Sequence, residues 1–310
     1  MISNLKELMK RYADEKVCIE ELVQQRWGGV PECPYCGCRK SYKIENGKRF
    51  KCADKTCYKK YSVTVGTVFE ASKIPLSTWF PAMYLIMSHK KGISSCQLAK
   101  DLGVTQKTAW FMLMRIREFL KDKNSSLMTG TVEVDETYVG GKMKNKHKSK
   151  RNKQNAGNNY GNLTGVMGYV SREGNLRTEV FDRSTQPIID LVRKNVAKDS
   201  QVITDANSCY VKLKHEYPLH QIINHSTDEF VRGNFHTNTI EGFFAYLKRS
   251  ILGIYHHTSP KHLQRYCDEN AFRYNTRDMN DGSRFVLSLP NIEGRLTYKQ
   301  LVHGKSDQKS

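Results

Sequence analysis

The sequence predicts an α/β protein in which a mixed β-sheet covered by helices follows a small cysteine-built unit and a helical segment. Three observations predict it. Near the front, four cysteines flank an Asn-Gly turn in two knuckles. Helical spacing of apolar residues then runs to about residue 120. From Gly130 the pattern changes to alternating extended segments separated by helix-like stretches, as a sheet with crossover helices requires.

A chain of 310 residues is long enough for two or three units. Its 50 Lys and Arg against 31 Asp and Glu give a formal charge of +19. Such an excess argues for a polyanionic partner and salt-sensitive binding, and leaves fold and chemistry open. The opening MISNLKELMKRYADEKVCIEELVQQ reads as one amphipathic helix within residues 1–29. It carries acids throughout, unlike a secretory signal, and no stretch approaches the roughly 18 apolar residues of a membrane span. These features predict a reducing cytoplasmic setting, nucleoid-associated when DNA is bound, with no membrane partner.

Residues 30–68 read as a zinc ribbon. Cys33 and Cys36 lie in PECPYCGCRK, Cys52 and Cys57 in FKCADKTCYKKYSV, and Asn46-Gly47 between them signals a tight hairpin. Two such knuckles can set four thiolates at the corners of a tetrahedron, leaving no open position for water, so the zinc would be structural. Cys38 competes as a ligand, and Cys33-Pro34-Tyr35-Cys36 alone would also suit a redox pair. Cys18, Cys96, Cys209 and Cys267 lack partners at ligand spacing and read as packed thiols.

Residues 69–124 read as helical. Ser77 is a candidate cap for a first helix, Ser94 or Ser95 starts a second that stops near Gly103, and Thr105 opens a third. Ala109, Met112, Leu113, Ile116 and Leu120 fall at core spacing along that third helix. The last two helices have the proportions of a helix-turn-helix, with Gln106, Lys107 and Arg115 as candidate DNA contacts if the helix enters a major groove. Helical pairs that only pack share the same spacing.

In residues 128–285, TVEVDETYV, NLTGVMGYV, LRTEVFD and QVITDAN read as strands, with Ile222-Ile223 a further short one. PIIDLVRKNV, SCYVKLKHEY, NTIEGFFAYLKRSIL and SPKHLQRYCDENAFRYNTR read as helices, and residues 286–310 as a tail. Alternation turns Val132 and Val134 one way and Glu133 and Asp135 the other. Between the first two strands runs a basic polar stretch in which Lys142, Lys144 and Lys146 are candidate phosphate contacts. A solvated, disordered hairpin extension is the alternative reading.

Three acids stand out: Asp135 in a strand, Asp205 at a strand's carboxyl end, and Glu241 at a helix start. Carboxylates gathered from such elements can hold two divalent metals and so attack a phosphodiester without a strong protein base. Asn238-Thr239-Ile240-Glu241 also has capping-box spacing, which would give Glu241 a structural task. Lys248, nearly two turns on, emerges from a similar face and suits phosphate. Glu133, Glu136 and Glu269 are rival acids, and Asn234, His236 and Asn238 are candidates for supporting the site.

CPYC with CADKTC, VDETYVGGK, TDANSCY, and HTNTIEGFFAYLKR followed by RYNTR together resemble the zinc-ribbon-bearing DDE transposases of small bacterial insertion sequences, over about residues 25–285. The resemblance implies a ribonuclease-H-like catalytic core whose acidic positions fall on Asp135, Asp205 and Glu241, with the helix lysine at Lys248. It also implies two Mg²⁺ ions, for which Mn²⁺ would substitute, and assembly as a homo-oligomer on paired DNA ends. The expected activity is metal-dependent cleavage at the ends of a mobile element and strand transfer into target DNA. A nuclease or resolvase without strand transfer, and a domesticated DNA-binding regulator, are the rival readings.

Overall fold

The computed structural model describes residues 2–123, 125–141, 163–182, 185–224 and 231–303. Lys142, Lys144 and Lys146 lie outside the described residues. The chain forms two compact units, Met1–Lys121 with Thr276–Ser310, and Asp122–Asn275.

In the first unit the expected single N-terminal helix is two, α1 (Leu5–Arg11) and α2 (Glu15–Trp27). The break is chemical. Asp14 stays extended and its side chain accepts from the amide of Lys16, capping α2. The ribbon follows as a three-stranded antiparallel sheet, β1 (Ser41–Ile44), β2 (Arg49–Cys52) and β3 (Lys60–Tyr61), in that order. Its hairpin turns through Asn46 and Gly47 at φ 55° and 85°, the left-handed region that this dipeptide tolerates. One face of the sheet sets Phe50 and Tyr61 edge-on against Trp27 of α2, at centroid distances of 6.3 and 6.0 Å.

Three helices come next: α3 (Leu76–Ser88), α4 (Ser95–Leu102) and α5 (Gln106–Phe119). Ser94 and Thr105 cap α4 and α5, and Gly103 ends α4 at φ 65°. The apolar residues expected at core spacing on α5 are buried. Ser77 does not cap α3: the amides of Leu76 and Ser77 donate to the Glu15 carboxylate at 2.9 and 3.1 Å. The cap is tertiary.

The second unit is a five-stranded sheet of β4 (Thr131–Val139), β5 (Thr164–Ser171), β6 (Leu176–Phe181), β7 (Gln201–Asp205) and β8 (Gln221–Ile223), in the order β6-β5-β4-β7-β8. β4, β5 and β6 pair antiparallel, whereas β7 joins β4 and β8 joins β7 in parallel. Helix α6 (Ile188–Asn195) makes the crossover to β7, and SCYVKLKHEY forms a 3₁₀ helix over Ser208–His215. Helices α7 (Asn238–Ser250) and α8 (Pro260–Asn275) complete the unit.

Each face of this sheet has its own core. Val132, Val134, Met167 and Tyr169 pack with Leu191, Val192, Tyr210 and Leu213 on one side. Val139, Val166 and Val170 pack with Ile240, Phe243, Phe244 and Leu247 of α7 and Leu263 and Cys267 of α8 on the other. The result is a ribonuclease-H-like three-layer core. Gly168 lets α7 approach, since a Cβ there would lie 2.4 Å from Ile240 Cδ1 and 2.8 Å from Phe244.

The segment read as a tail contributes to the first unit. α9 (Asp281–Ser288) and α10 (Tyr298–His303) flank buried Leu289, Ile292 and Leu296, and the amide of Val68 donates to the carbonyl of Ile292 at 2.9 Å. Among the described residues no helix is long and apolar enough to cross a membrane.

Candidate active site and zinc centre

The four ribbon cysteines come together. Cys33 and Cys57 sulfurs are 3.8 Å apart, Cys36 and Cys52 sulfurs 3.5 Å, and all four lie within 4.8 Å of one another. Tetrahedral Zn²⁺ with bonds of about 2.3 Å needs sulfurs separated by roughly 3.8 Å, so the donor set fits a structural zinc ion. Cys38 is outside the set, its thiol directed to the carbonyl of Lys40 at 3.6 Å. Local geometry does the gathering: the amide of Gly37 bonds the carbonyl of Cys33, and those of Cys57 and Tyr58 bond that of Asp54.

The acids are gathered differently. The β4–β7 pairing sets Glu133 beside Ile203, and two residues further along each strand stand Asp135 and Asp205. Extending the parallel register puts the two aspartates side by side on the face that α7 covers. Across β4, Asp135 pairs with Gly168, against which Ile240 and Phe244 pack, and so the first turn of α7 brings Glu241 to the same region. Burial, then the carboxylates of Glu136, Asp205 and Glu241, push the Asp135 carboxyl up to about 8. Among the described residues, only the cysteine set closes to within 4.8 Å. The carboxylate oxygens of Asp135, Asp205 and Glu241 are hard donors of the kind that could hold a divalent cation such as Mg²⁺.

The rival acids have other tasks. Glu133 is fully buried, and its carboxylate accepts from the Thr239 amide at 3.0 Å, the Ile240 amide at 3.1 Å and the Thr239 hydroxyl at 2.8 Å. It therefore caps α7, a helix that has no side-chain cap of its own. Arg172 balances its charge at 3.1 Å. Glu136 faces the opposite side, where it accepts from Asn207 Nδ2 at 2.9 Å and from the Tyr210 hydroxyl. Glu269 is buried with Arg273 and takes a hydrogen bond from the Tyr255 hydroxyl.

Glu241 stands at the helix start without forming the capping box that its spacing suggested, because the helix begins at Asn238 and its cap position is Thr237. The Thr237 hydroxyl donates to Glu241 Oε1 at 2.7 Å. Lys248 and Asn238 are exposed on the same helix, and Asn234 is exposed before it. Asn234 and His236 belong to the Glu133 group: Arg172 donates to the Asn234 carbonyl and to His236 Nε2, each at 2.9 Å, while His236 Nδ1 faces Glu133 at 3.4 Å.

In the helix-turn-helix segment, Gln106 and Lys107 are exposed at the start of α5; Gln106 bonds Ser95 and Lys107 stands over the Tyr298 ring. Arg115 differs from the expectation of a groove contact. It is 4% exposed, donates to the Leu296 carbonyl at 3.0 Å and lies over Phe111. The segment after residue 285 supplies that acceptor, which the spacing along α5 could not reveal.

A ribonuclease-H-like core with acids on two adjacent strands and at a helix start, joined in one chain to a four-thiolate ribbon, is the arrangement of a DDE-type protein. Residues 127–275 match the ISXO2-like transposase domain, and residues 13–60 match the transposase zinc-ribbon domain. A Halobacterium salinarum protein described as an uncharacterized protein in transposable element ISH50 is 26% identical over 257 residues, covering 78% of this chain and 84% of that protein. No solved structure gives a significant match. The chain belongs to the zinc-ribbon-bearing DDE transposases of insertion sequences.

Proposed function

We propose that the chain cuts double-stranded DNA at the ends of a mobile element and transfers the strands into target DNA, using divalent metal held by Asp135, Asp205 and Glu241. The strand register supports this reading most directly, because it sets Asp135 beside Asp205 where the first turn of α7 brings Glu241, and carboxylates gathered from separate elements are what a divalent ion binds. When bound, Mg²⁺ or Mn²⁺ supplies activation of the attacking oxygen and neutralisation at the leaving oxygen. Asp135 and Asp205 offer ligand oxygens from neighbouring strands, and Glu241 adds one from α7. Lys248, nearly two turns on, offers an ammonium to a phosphate without competing for the metal.

Gln106 and Lys107 are the proposed duplex contacts of the first unit, with Lys142, Lys144 and Lys146 proposed as phosphate contacts. Assembly as a homo-oligomer on paired ends is part of the same proposal. The test is a labelled end-DNA assay with Mg²⁺ that resolves hydrolysed ends from joined products. Both products are expected; cleavage without joining would reassign the chain as a nuclease or resolvase, and specific binding with neither product would make it a regulator.

A further inference from the structure

The ribbon sheet has two unlike faces. Phe50 and Tyr61 turn inward to Trp27, while the opposite face carries a row formed by the pairings Tyr42 with Lys51 and Lys51 with Lys60, one residue from each strand. Tyr42 is 62% exposed and Tyr58 50% exposed, and the Lys51 ammonium stands 4.4 Å from the centre of the Tyr58 ring. Large rings left in water at this level need a reason, because the same small sheet buries its other aromatics. Between residues 30 and 61 there are nine Lys and Arg against three Asp and Glu, so the surroundings favour a polyanion.

We infer that this outward face is a stacking platform for unpaired bases of single-stranded DNA. Aromatic rings on a sheet face give sequence-tolerant stacking to any base whose own face is free, and flanking lysines track the phosphates. Duplex DNA fits the face less well. Its base faces are already covered by their neighbours, and the major groove admits a helix or a two-stranded ribbon, whereas three strands spaced by about 4.8 Å make a wider surface. Tyr42 is the principal stacking residue, Tyr58 the second, and Lys60 the phosphate contact. The identity of the strand, one opened at an element end, rests on the proposed function; the binding mode itself does not.

The test is therefore made without Mg²⁺, Mn²⁺ or chelator, so that it reads no cleavage and the ribbon keeps its zinc. Zinc-loaded full-length chain is titrated by fluorescence anisotropy with oligothymidine, an abasic strand of equal length, and a duplex. Tyr42→Ala with Tyr58→Ala is expected to weaken oligothymidine binding by about 10-fold or more while leaving the abasic strand and duplex within about twofold. Tyr42→Phe is expected to bind like wild type, and Lys60→Gln to weaken all three ligands. Tyr42→Ala alone gives the same comparison should the double substitution disturb zinc content. Equal losses on oligothymidine and the abasic strand, no loss on either, or a loss in Tyr42→Phe matching that of Tyr42→Ala would overturn the platform.

Discussion

The two candidate metal centres of this chain are built by opposite routes. The zinc set is drawn from two turns lying within residues 33–57, and hydrogen bonds inside those turns bring four sulfurs within 4.8 Å of one another. The acids at 135, 205 and 241 come from two strands and a helix, and their positions depend on the β4–β7 register and the seat of α7. Each site is therefore vulnerable in a different place. A locally closed site fails with its ligands, whereas a site assembled by tertiary structure also fails when a residue that touches no metal shifts an element.

Loss of the zinc ligands should disturb the chain most. Structural zinc in a small ribbon carries binding free energy on the order of 10 kcal/mol, more than the short hairpin gains from packing Phe50 and Tyr61 on Trp27. Purified chain should hold one equivalent of zinc, and Cys52→Ser should lose it together with the ordered ribbon, read by metal analysis and tryptophan emission. A folded ribbon with less than half an equivalent of zinc would contradict the four-thiolate site.

Substitutions around α7 should act more weakly. Glu133→Ala removes the acceptor for two α7 amides and the partner of Arg172, at a cost of about 3 kcal/mol. Gly168→Ala forces Ile240 and Phe244 away from β5, at a cost of about 1–3 kcal/mol. Both leave Asp135, Asp205 and Glu241 in the chain. Both should nonetheless slow cleavage at full protein folding, measured by denaturant midpoint beside end-DNA turnover. Full activity in the pair would show that α7 does not position the acids.

Much of this was legible in the sequence, and the exceptions share a cause. Alternation placed Val132 and Val134 on one face and Glu133 and Asp135 on the other, cysteine spacing picked out the zinc set, and Ser94, Gly103 and Thr105 marked the helix ends. These signals are local. Glu133 was legible only as an acid beside Asp135, because the amides that it caps lie 106 and 107 positions away. Glu15 capping α3 from 61 positions away, and Arg115 meeting Leu296, escaped for the same reason. A long-range acceptor leaves no spacing to read. The aromatic face of the ribbon was likewise hidden until the strand pairing set Tyr42, Lys51 and Lys60 in one row.

Asp135→Asn separates a divalent-metal ligand from a framework residue. The Asp135 carboxyl is raised in the fold, so its ionisation removes stability progressively as pH climbs from the ordinary carboxylate range to about 8. Without divalent metal the asparagine variant should match wild type in thermal stability near pH 4 and exceed it near pH 8. The deciding measurement is Mg²⁺-dependent cleavage of labelled end DNA by this variant beside wild type. The predicted result is a loss of about 1,000-fold or more with zinc content and DNA affinity unchanged; cleavage at the wild-type rate would contradict the site.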